Sequence, residues 1–327
     1  MVFVTGGTGF IGTHLLRELL QRGEKVRAMM RSNSRILLED KLAKQVEWVE
    51  GDVLDVTSLE EAMKGCDDVY HCAAVVSFNP ADRDYLMKVN VEGTANTVNA
   101  ALENGVRKLV HLSSVSAIGR ARDTAVVNEN TEWEQNKLTT HYALSKFLAE
   151  REVWRGVAEG LNAVIVNPSF VLGSGNWDAG PPQVFKKVFE GLPAYTTGGT
   201  GMVAVDDVAK LMIQLMKSTT SGERFILNAE NWSFKDLFFC VAEQLKVKPP
   251  RIHANSFLIE AGWRLGWLKY KLTGKPPTIT RETGRISLHW SRFDNSKITA
   301  ATGYHFKPIK QCIEETARKF LEERNGQ

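Results

Sequence analysis

The chain has 327 residues, of which 43% are hydrophobic and 24% charged, and its formal net charge is +3. That length allows a large core and two lobes, and the apolar content excludes an intrinsically disordered chain. The basic residues are dispersed, which excludes the electrostatic footprint of a nucleic-acid binder and leaves a small molecule as the expected partner.

The chain opens with the apolar run Val2-Phe3-Val4, followed by Thr5-Gly6-Gly7-Thr8-Gly9-Phe10-Ile11-Gly12 and an amphipathic stretch over residues 11–21. Glycine weakens strands and helices alike, so this density needs a geometric reason. Both Gly7-x-Gly9-x-x-Gly12 and Thr5-Gly6-x-x-Gly9-x-x-Gly12 are satisfied. A strand–loop–helix with this spacing supplies a tight turn, close backbone approach to a pyrophosphate and free N–H groups at a helix N-terminus. Gly6, Thr8, Gly9, Phe10, Ile11 and Gly12 are therefore expected to contact a dinucleotide.

The next apolar run, residues 26–30, ends at Arg31, where an NAD-selective site usually places Asp or Glu for the ribose hydroxyls. A guanidinium instead suits the 2′-phosphate, which predicts NADP(H), with NAD(H) as the alternative. Further buried strands are predicted at 46–49, 69–72, 109–112 and 163–166, with helical periodicity at 58–63 and 85–103 between them. Strands separated by helices predict an α/β fold built on a doubly wound parallel sheet, which takes ligands at the carboxyl ends of its strands.

Beyond Val166 the rhythm changes. Gly180-Pro181-Pro182 and Thr197-Gly198-Gly199-Thr200-Gly201 read as breakers in a loop-rich stretch around one helix at 183–190. Val203-Ala204-Val205 then predicts a strand running into a helix whose first turn carries Asp206 and Asp207, and 225–227 predicts another strand. The rest is mostly helical. This divides the chain into a dinucleotide-binding domain, 1–166, to which 203–229 returns, and a smaller substrate lobe of 167–202 and 230–327. Cys66, Cys72, Cys240 and Cys312 fit no zinc or redox spacing and are expected to be reduced, and His71 and Cys72 are expected to be core residues rather than metal ligands. No apolar run reaches the ~18 residues that span a bilayer, and no cleavable leader is evident, so a cytoplasmic location is expected.

Tyr142 and Lys146 stand four apart in His141-Tyr142-Ala143-Leu144-Ser145-Lys146, a strong helix former, so one face carries both. A phenol with a pKa near 10 is a poor proton carrier at neutral pH, and an adjacent ammonium is expected to lower that value. Upstream, the run 108–112 ends in Ser113 and Ser114, which brings hydroxyls to the carboxyl edge where the glycine loop lies.

These motifs, together with Gly51-Asp52-Val53, His71-Cys72-Ala73-Ala74, Asn90 and Asn167-Pro168-Ser169-Phe170-Val171, occur in order along the whole chain. The chain resembles an extended short-chain dehydrogenase/reductase of the NAD-dependent epimerase/dehydratase superfamily. Among its members the dihydroflavonol 4-reductase-like, 3β-hydroxysteroid dehydrogenase-like and hopanoid-associated epimerase-like proteins look most similar. The resemblance implies a Rossmann fold, with Tyr142 as proton donor or acceptor and Lys146 as the group that lowers its pKa and holds the nicotinamide ribose. It implies that Ser114 bonds the reacting carbonyl, that Asp52 and Val53 contact adenine, and that Ala73 and Ala74 let the ribose pass. Pro168 and Val171 belong to the loop beside the nicotinamide, and Asn90 is a structural hydrogen-bonder. Asn167 departs from the pattern, in which an Arg more often precedes that Pro. The resemblance also suggests a homodimer through the helices that carry Asn90 and Tyr142.

The activity so implied is reduction of a ketone or aldehyde, or oxidation of a secondary alcohol, with a fairly apolar body. A nucleotide-sugar epimerase or dehydratase using tightly held NAD is the alternative, and a non-catalytic dinucleotide-binding regulator is a third. The substrate pocket is expected from the 75–83 loop and from segments after 167. One of these, 244–275, has seven Lys/Arg residues against Glu260 alone. Its helical part shows two apolar stripes, one of Leu258, Ala261, Leu265, Leu268 and Leu272, the other of Trp263, Trp267 and Tyr270. Such a helix is sandwiched between other parts, forms an aromatic lid, or makes a shallow contact with an anionic membrane.

Overall fold

The computed structural model describes residues 1–119, 126–136, 138–273 and 280–326, the side chains of 267–273 excepted. In chain order, β1 (Val2–Thr5), α1 (Phe10–Gln21), β2 (Val26–Met30), α2 (Asp40–Ala43), β3 (Glu47–Glu50), α3 (Val56–Met63) and β4 (Asp68–His71) alternate strand with helix. Then follow α4 (Arg83–Leu86), α5 (Gly93–Glu103), β5 (Lys108–Leu112), the short β6 (Val126–Val127), α6 (His141–Ala158) and β7 (Ala163–Pro168). The remainder comprises β8 (Phe170–Leu172), α7 (Gln183–Phe189), β9 (Ala194–Tyr195), β10 (Gly199–Ala204), α8 (Val205–Lys217), β11 (Glu223–Leu227) and β12 (Glu230–Ser233). The chain ends in α9 (Phe234–Gln244), β13 (Ile252–His253), α10 (Ser256–Thr273), α11 (Arg281–Ser287), β14 (Arg292–Phe293), α12 (Ser296–Thr302) and α13 (Ile309–Asn325).

Seven strands form one sheet in the order β11-β7-β5-β4-β1-β2-β3, every neighbouring pair parallel. The apolar runs are continuous because both faces are covered. On one face Val4, Val110 and Val166 pack with Leu15 and Leu19 of α1 and Val208 and Met212 of α8. On the other, Phe3, Val69, Leu109 and Ile165 pack with α3, α5 and α6 through Leu59, Val98 and Val153. The strand order reverses between β1 and β4, so their carboxyl ends frame the crevice where such sheets bind ligands. The fold class predicted from the strand–helix alternation is the one observed.

Two elements differ from expectation. Residues 85–103 are helical throughout, as expected, but not uniformly α: a wide π-helical turn, Met87–Glu92, lies between α4 and α5, and Asn90 within it is buried. The glycine breaker at 197–201 is in large part a strand, since β10 begins at Gly199 and runs to Ala204, with Val205 already the first residue of α8. β10 pairs with β8 and β12 in a second sheet, backed by Leu237 and Val241 of α9 and Ile313 and Ala317 of α13.

Candidate active site

The glycine loop takes its shape from what stands against it. Gly6 has φ +70°, and a Cβ there would lie 2.5 Å from the amide nitrogen of Ala73 at the end of β4. A Cβ on Gly12 would lie 2.1 Å from the carbonyl oxygen of Gly6. Gly9 caps α1 in an extended conformation, with no side chain accepting from the first-turn N–H groups and no acidic residue among them. That is a fit for an anion: backbone donors and the positive end of the helix face outward, and nothing of the protein's own occupies them. The cradle therefore suits a dinucleotide pyrophosphate.

From this loop a cavity of about 1400 Å³ runs along the carboxyl edge into the second lobe. It exceeds the ~300–1000 Å³ of a single-ligand pocket, which leaves room for a dinucleotide and a second molecule. Gly6, Thr8, Gly9, Phe10, Ile11, Gly12, Ala74, Ser114, Tyr142, Lys146, Pro168 and Val171 all line it. Arg31, Asp52, Val53 and Ala73 do not. Arg31 lies at the exposed carboxyl end of β2 and donates to the Tyr85 hydroxyl at 3.2 Å. Asp52 accepts the Leu54 amide at 3.0 Å. Val53 is buried against Gly93, and the Ala73 amide donates to Thr5 Oγ1 beneath the loop.

α6 starts where Thr140 accepts the Ala143 amide at 3.0 Å, which places Tyr142 in the first turn and Lys146 one turn on. Ser114 stands two residues past β5, where it lines the cavity with Tyr142 and its hydroxyl accepts the Ser116 amide at 3.2 Å. Ser113 is buried and turned toward Glu150 instead, as strand alternation requires. The Lys146 ammonium donates to the Leu112 carbonyl at 2.9 Å; burial pushes its pKa down to about 8, with Glu150 and Cys72 opposing. The low-dielectric surroundings of Tyr142 raise its pKa above 10, and the group that counters this is Ser114. The ammonium expected to lower the Tyr142 pKa is anchored on the Leu112 carbonyl in this structure.

Three residues behind the site carry no signal in the sequence as a group. Glu150 continues the face of Tyr142 and Lys146, is 1% exposed, and accepts from Asn167 Nδ2 and, at 3.4 Å, from Arg224 Nη1. The same Asn167 amide donates to the Ser114 carbonyl at 2.9 Å. Asn167 therefore ties the strand end bearing Ser114 to the helix bearing Tyr142, while the guanidinium comes from Arg224 on β11. Burial raises the Glu150 pKa against these donors. Asn90 bridges the Val75 backbone to Ser145, at 2.7 Å from the Val75 amide and 2.9 Å to Ser145 Oγ.

The far wall is apolar. Val76, Phe78, Phe170, Phe234, Trp263 and Phe293 line it, and Phe78 meets the Tyr142 ring edge-on at 5.9 Å. Lys146, Lys187, Arg281 and Glu282 are the only charged side chains of the described lining. Trp263 turns into the cavity, while the side chains of Trp267 and Tyr270 lie outside the described residues. His71 is buried between Thr5 and Thr94, and His14 joins α1 to Asp206 at 2.8 Å, so both have structural work. Among the described residues no cluster of His, Cys, Asp or Glu could hold a metal, and no helix is long and apolar enough to cross a membrane.

Comparison with known proteins agrees with this geometry. Residues 2–228 match the model of the NAD dependent epimerase/dehydratase family. A Synechocystis protein provisionally named dihydroflavonol 4-reductase is 32% identical over 97% of this chain and 94% of its own length. Sterol demethylase protein B of Methylococcus capsulatus is 32% identical over 90% of this chain and 88% of its own. The crystal structure of gox2253 superposes with a TM-score of 0.83 at 32% identity, covering 99% of this chain and 98% of that one.

Proposed function

The chain belongs to the NAD dependent epimerase/dehydratase family and is an NAD(P)-dependent enzyme of the extended short-chain dehydrogenase/reductase type; from that premise we propose that it is an NADP(H)-dependent oxidoreductase. It reduces a ketone or aldehyde on a bulky apolar body, or oxidises the corresponding secondary alcohol. The observation that carries this reading is the cavity, which joins the glycine cradle, Ser114, Tyr142 and Lys146 to a mostly aromatic wall. A diphosphate-linked sugar calls for a cationic clamp, and beyond Lys146 the described lining offers only Lys187 and Arg281.

The bound nicotinamide supplies or accepts the hydride. Tyr142, neutral across the working pH range, hands its proton to the oxygen of the reacting carbonyl, while Ser114 donates to the same oxygen and stabilises the charge that develops there. The Lys146 cation binds the cofactor ribose. Glu150 and Asn167 hold the two elements in register. Arg31, with five donors at the end of β2, grips a 2′-phosphate.

Replacing Tyr142 with Phe removes the proton donor and keeps the ring, so turnover of apolar ketones is expected to fall at least about 1000-fold with NADPH affinity within about threefold of wild type. Steady-state assays and a fluorescence titration of the purified variant check this. Turnover within tenfold of wild type would remove Tyr142 from the mechanism.

A further inference from the structure

α10 has two apolar sides that point in different directions. At about 100° per residue, Ile259 and Trp263 fall together, and they face inward: Ile259 is buried and Trp263 lines the cavity. The opposite side carries Phe257, Leu258, Ala261 and Leu265. There Phe257 is 77%, Leu265 68% and Leu258 44% exposed, and Ile252 in the preceding β13 is 52% exposed. Large apolar side chains gathered on one exposed stripe mark a contact surface.

Charge selects the occupant. Segment 244–275 has seven Lys/Arg residues and one acid, Glu260. Glu260 is already spent on Arg264, at 2.8 Å, and on Trp263 Nε1, at 3.0 Å. Lys246, Lys248 and Arg251 are exposed, and no described carboxylate pairs with any of them. An exposed apolar stripe preceded in the chain by exposed cations fits a helix lying in the headgroup layer of an anionic bilayer. A second copy of the chain docked symmetrically would bring the same cations against one another, which costs affinity.

We propose that α10 seats the protein on an anionic membrane surface, with Phe257, Leu258 and Leu265 in the headgroup layer and Lys246, Lys248 and Arg251 against lipid phosphates. The helix then stands between lipid and cavity, with Trp263 on its inner side, so an apolar molecule dissolved in the bilayer has a short path to the site. The attachment does not depend on which reaction the site performs.

Flotation of the full chain with phosphatidylcholine vesicles containing about one-third phosphatidylglycerol tests it. At low salt the protein is expected to float with these vesicles, and several-fold less with pure phosphatidylcholine or at about 0.5 M salt. Two variants, Phe257→Ser with Leu265→Ser and Lys248→Glu with Arg251→Glu, alter exposed side chains only. Each is expected to cut the vesicle-bound fraction at least about fivefold with melting temperature and NADPH affinity unchanged. The proposal is overturned by absence of flotation on the anionic vesicles, or by flotation that neither variant changes. It is also overturned if light scattering shows a dimer that Phe257→Ser with Leu265→Ser turns into a monomer without vesicle affinity, since the stripe would then be an interface between copies.

Discussion

The pentapeptide Thr-Gly-Gly-Thr-Gly occurs twice, at residues 5–9 and 197–201, and folds in two unrelated ways. In the first copy Gly6 turns left-handed, Gly9 caps a helix, and the donors of the helix start are left facing a cavity. In the second copy Gly199 and Gly201 lie in β10, opposite Ser233 and Asn231 of β12. Glycine is required in both places, for different reasons. A Cβ on Gly199 would lie 2.5 Å from the Trp232 carbonyl oxygen, and one on Gly201 would lie 2.2 Å from Asn228 Oδ1. Here the glycines let protein pack on protein. The letters alone do not carry function; what decides is whether the backbone donors they free are consumed by the fold or left for a ligand.

Substitutions can pull the two copies apart. Gly12→Ala, which drives a methyl into the Gly6 carbonyl and deforms the first copy's cradle, is expected to weaken NADPH binding by about 100-fold, or about 2.7 kcal/mol. A calorimetric titration of the folded variant measures it, and a loss under threefold would mean the cradle does not hold the pyrophosphate. Gly201→Ala should do the reverse: a loss of about 1–3 kcal/mol in stability from overpacking, with NADPH affinity of the folded protein within about twofold. Denaturant unfolding beside the same titration gives both numbers.

Arg31→Ala sharpens the comparison by asking what the neighbouring strand end adds to the cradle. NADPH affinity is expected to drop by about tenfold and NADH affinity to stay within about twofold, because only the former carries the 2′-phosphate; equal losses would sink the NADP assignment. The smallest effect concerns pH. Burial disfavours the charged form of Lys146, so the ammonium loses its proton near pH 8. Reductive kcat/KM is expected to be flat below about pH 7 and to fall several-fold as pH rises through about 8, and Lys146→Arg should flatten that fall at a lower rate. Stability moves the other way: between about pH 8 and 10 the unfolded lysine keeps a proton that the folded one has released, so stability rises with pH. A wild-type rate profile flat to about pH 10 would separate Lys146 from the proton chemistry.

Local patterns in the sequence are faithful where the cause is local. The four-residue step from Tyr142 to Lys146 needs only a helix, and the apolar runs before Gly6 and Ser113 need only a sheet buried on both faces, so these residues meet at one cavity as expected. Contacts set by pairing leave no such trace. Nothing near Asn167 announces that its amide will reach both the Ser114 carbonyl and Glu150, because that depends on β7 lying beside β5 and under α6. The guanidinium that meets Glu150 arrives from β11, which pairs on the other side of β7. The second glycine pentapeptide reads as a breaker in the sequence for the same reason: its strand exists because β8 and β12 are there to pair with it. The raised pKa of Tyr142 likewise follows from its burial in the assembled fold, which spacing along a helix does not specify.

The π-helical turn at Met87–Glu92 makes chain length, as well as composition, a sensitive quantity in its neighbourhood. Deleting one residue there would let α4 and α5 join as a regular helix and rotate one of them by about 100° relative to the other. Asn90 would swing away from Val75 and Ser145, unfastening the loop that carries Phe78 from the helix that carries Tyr142. A gap of a single residue in the alignment of homologous chains here would therefore mark proteins whose active-site floor is built differently.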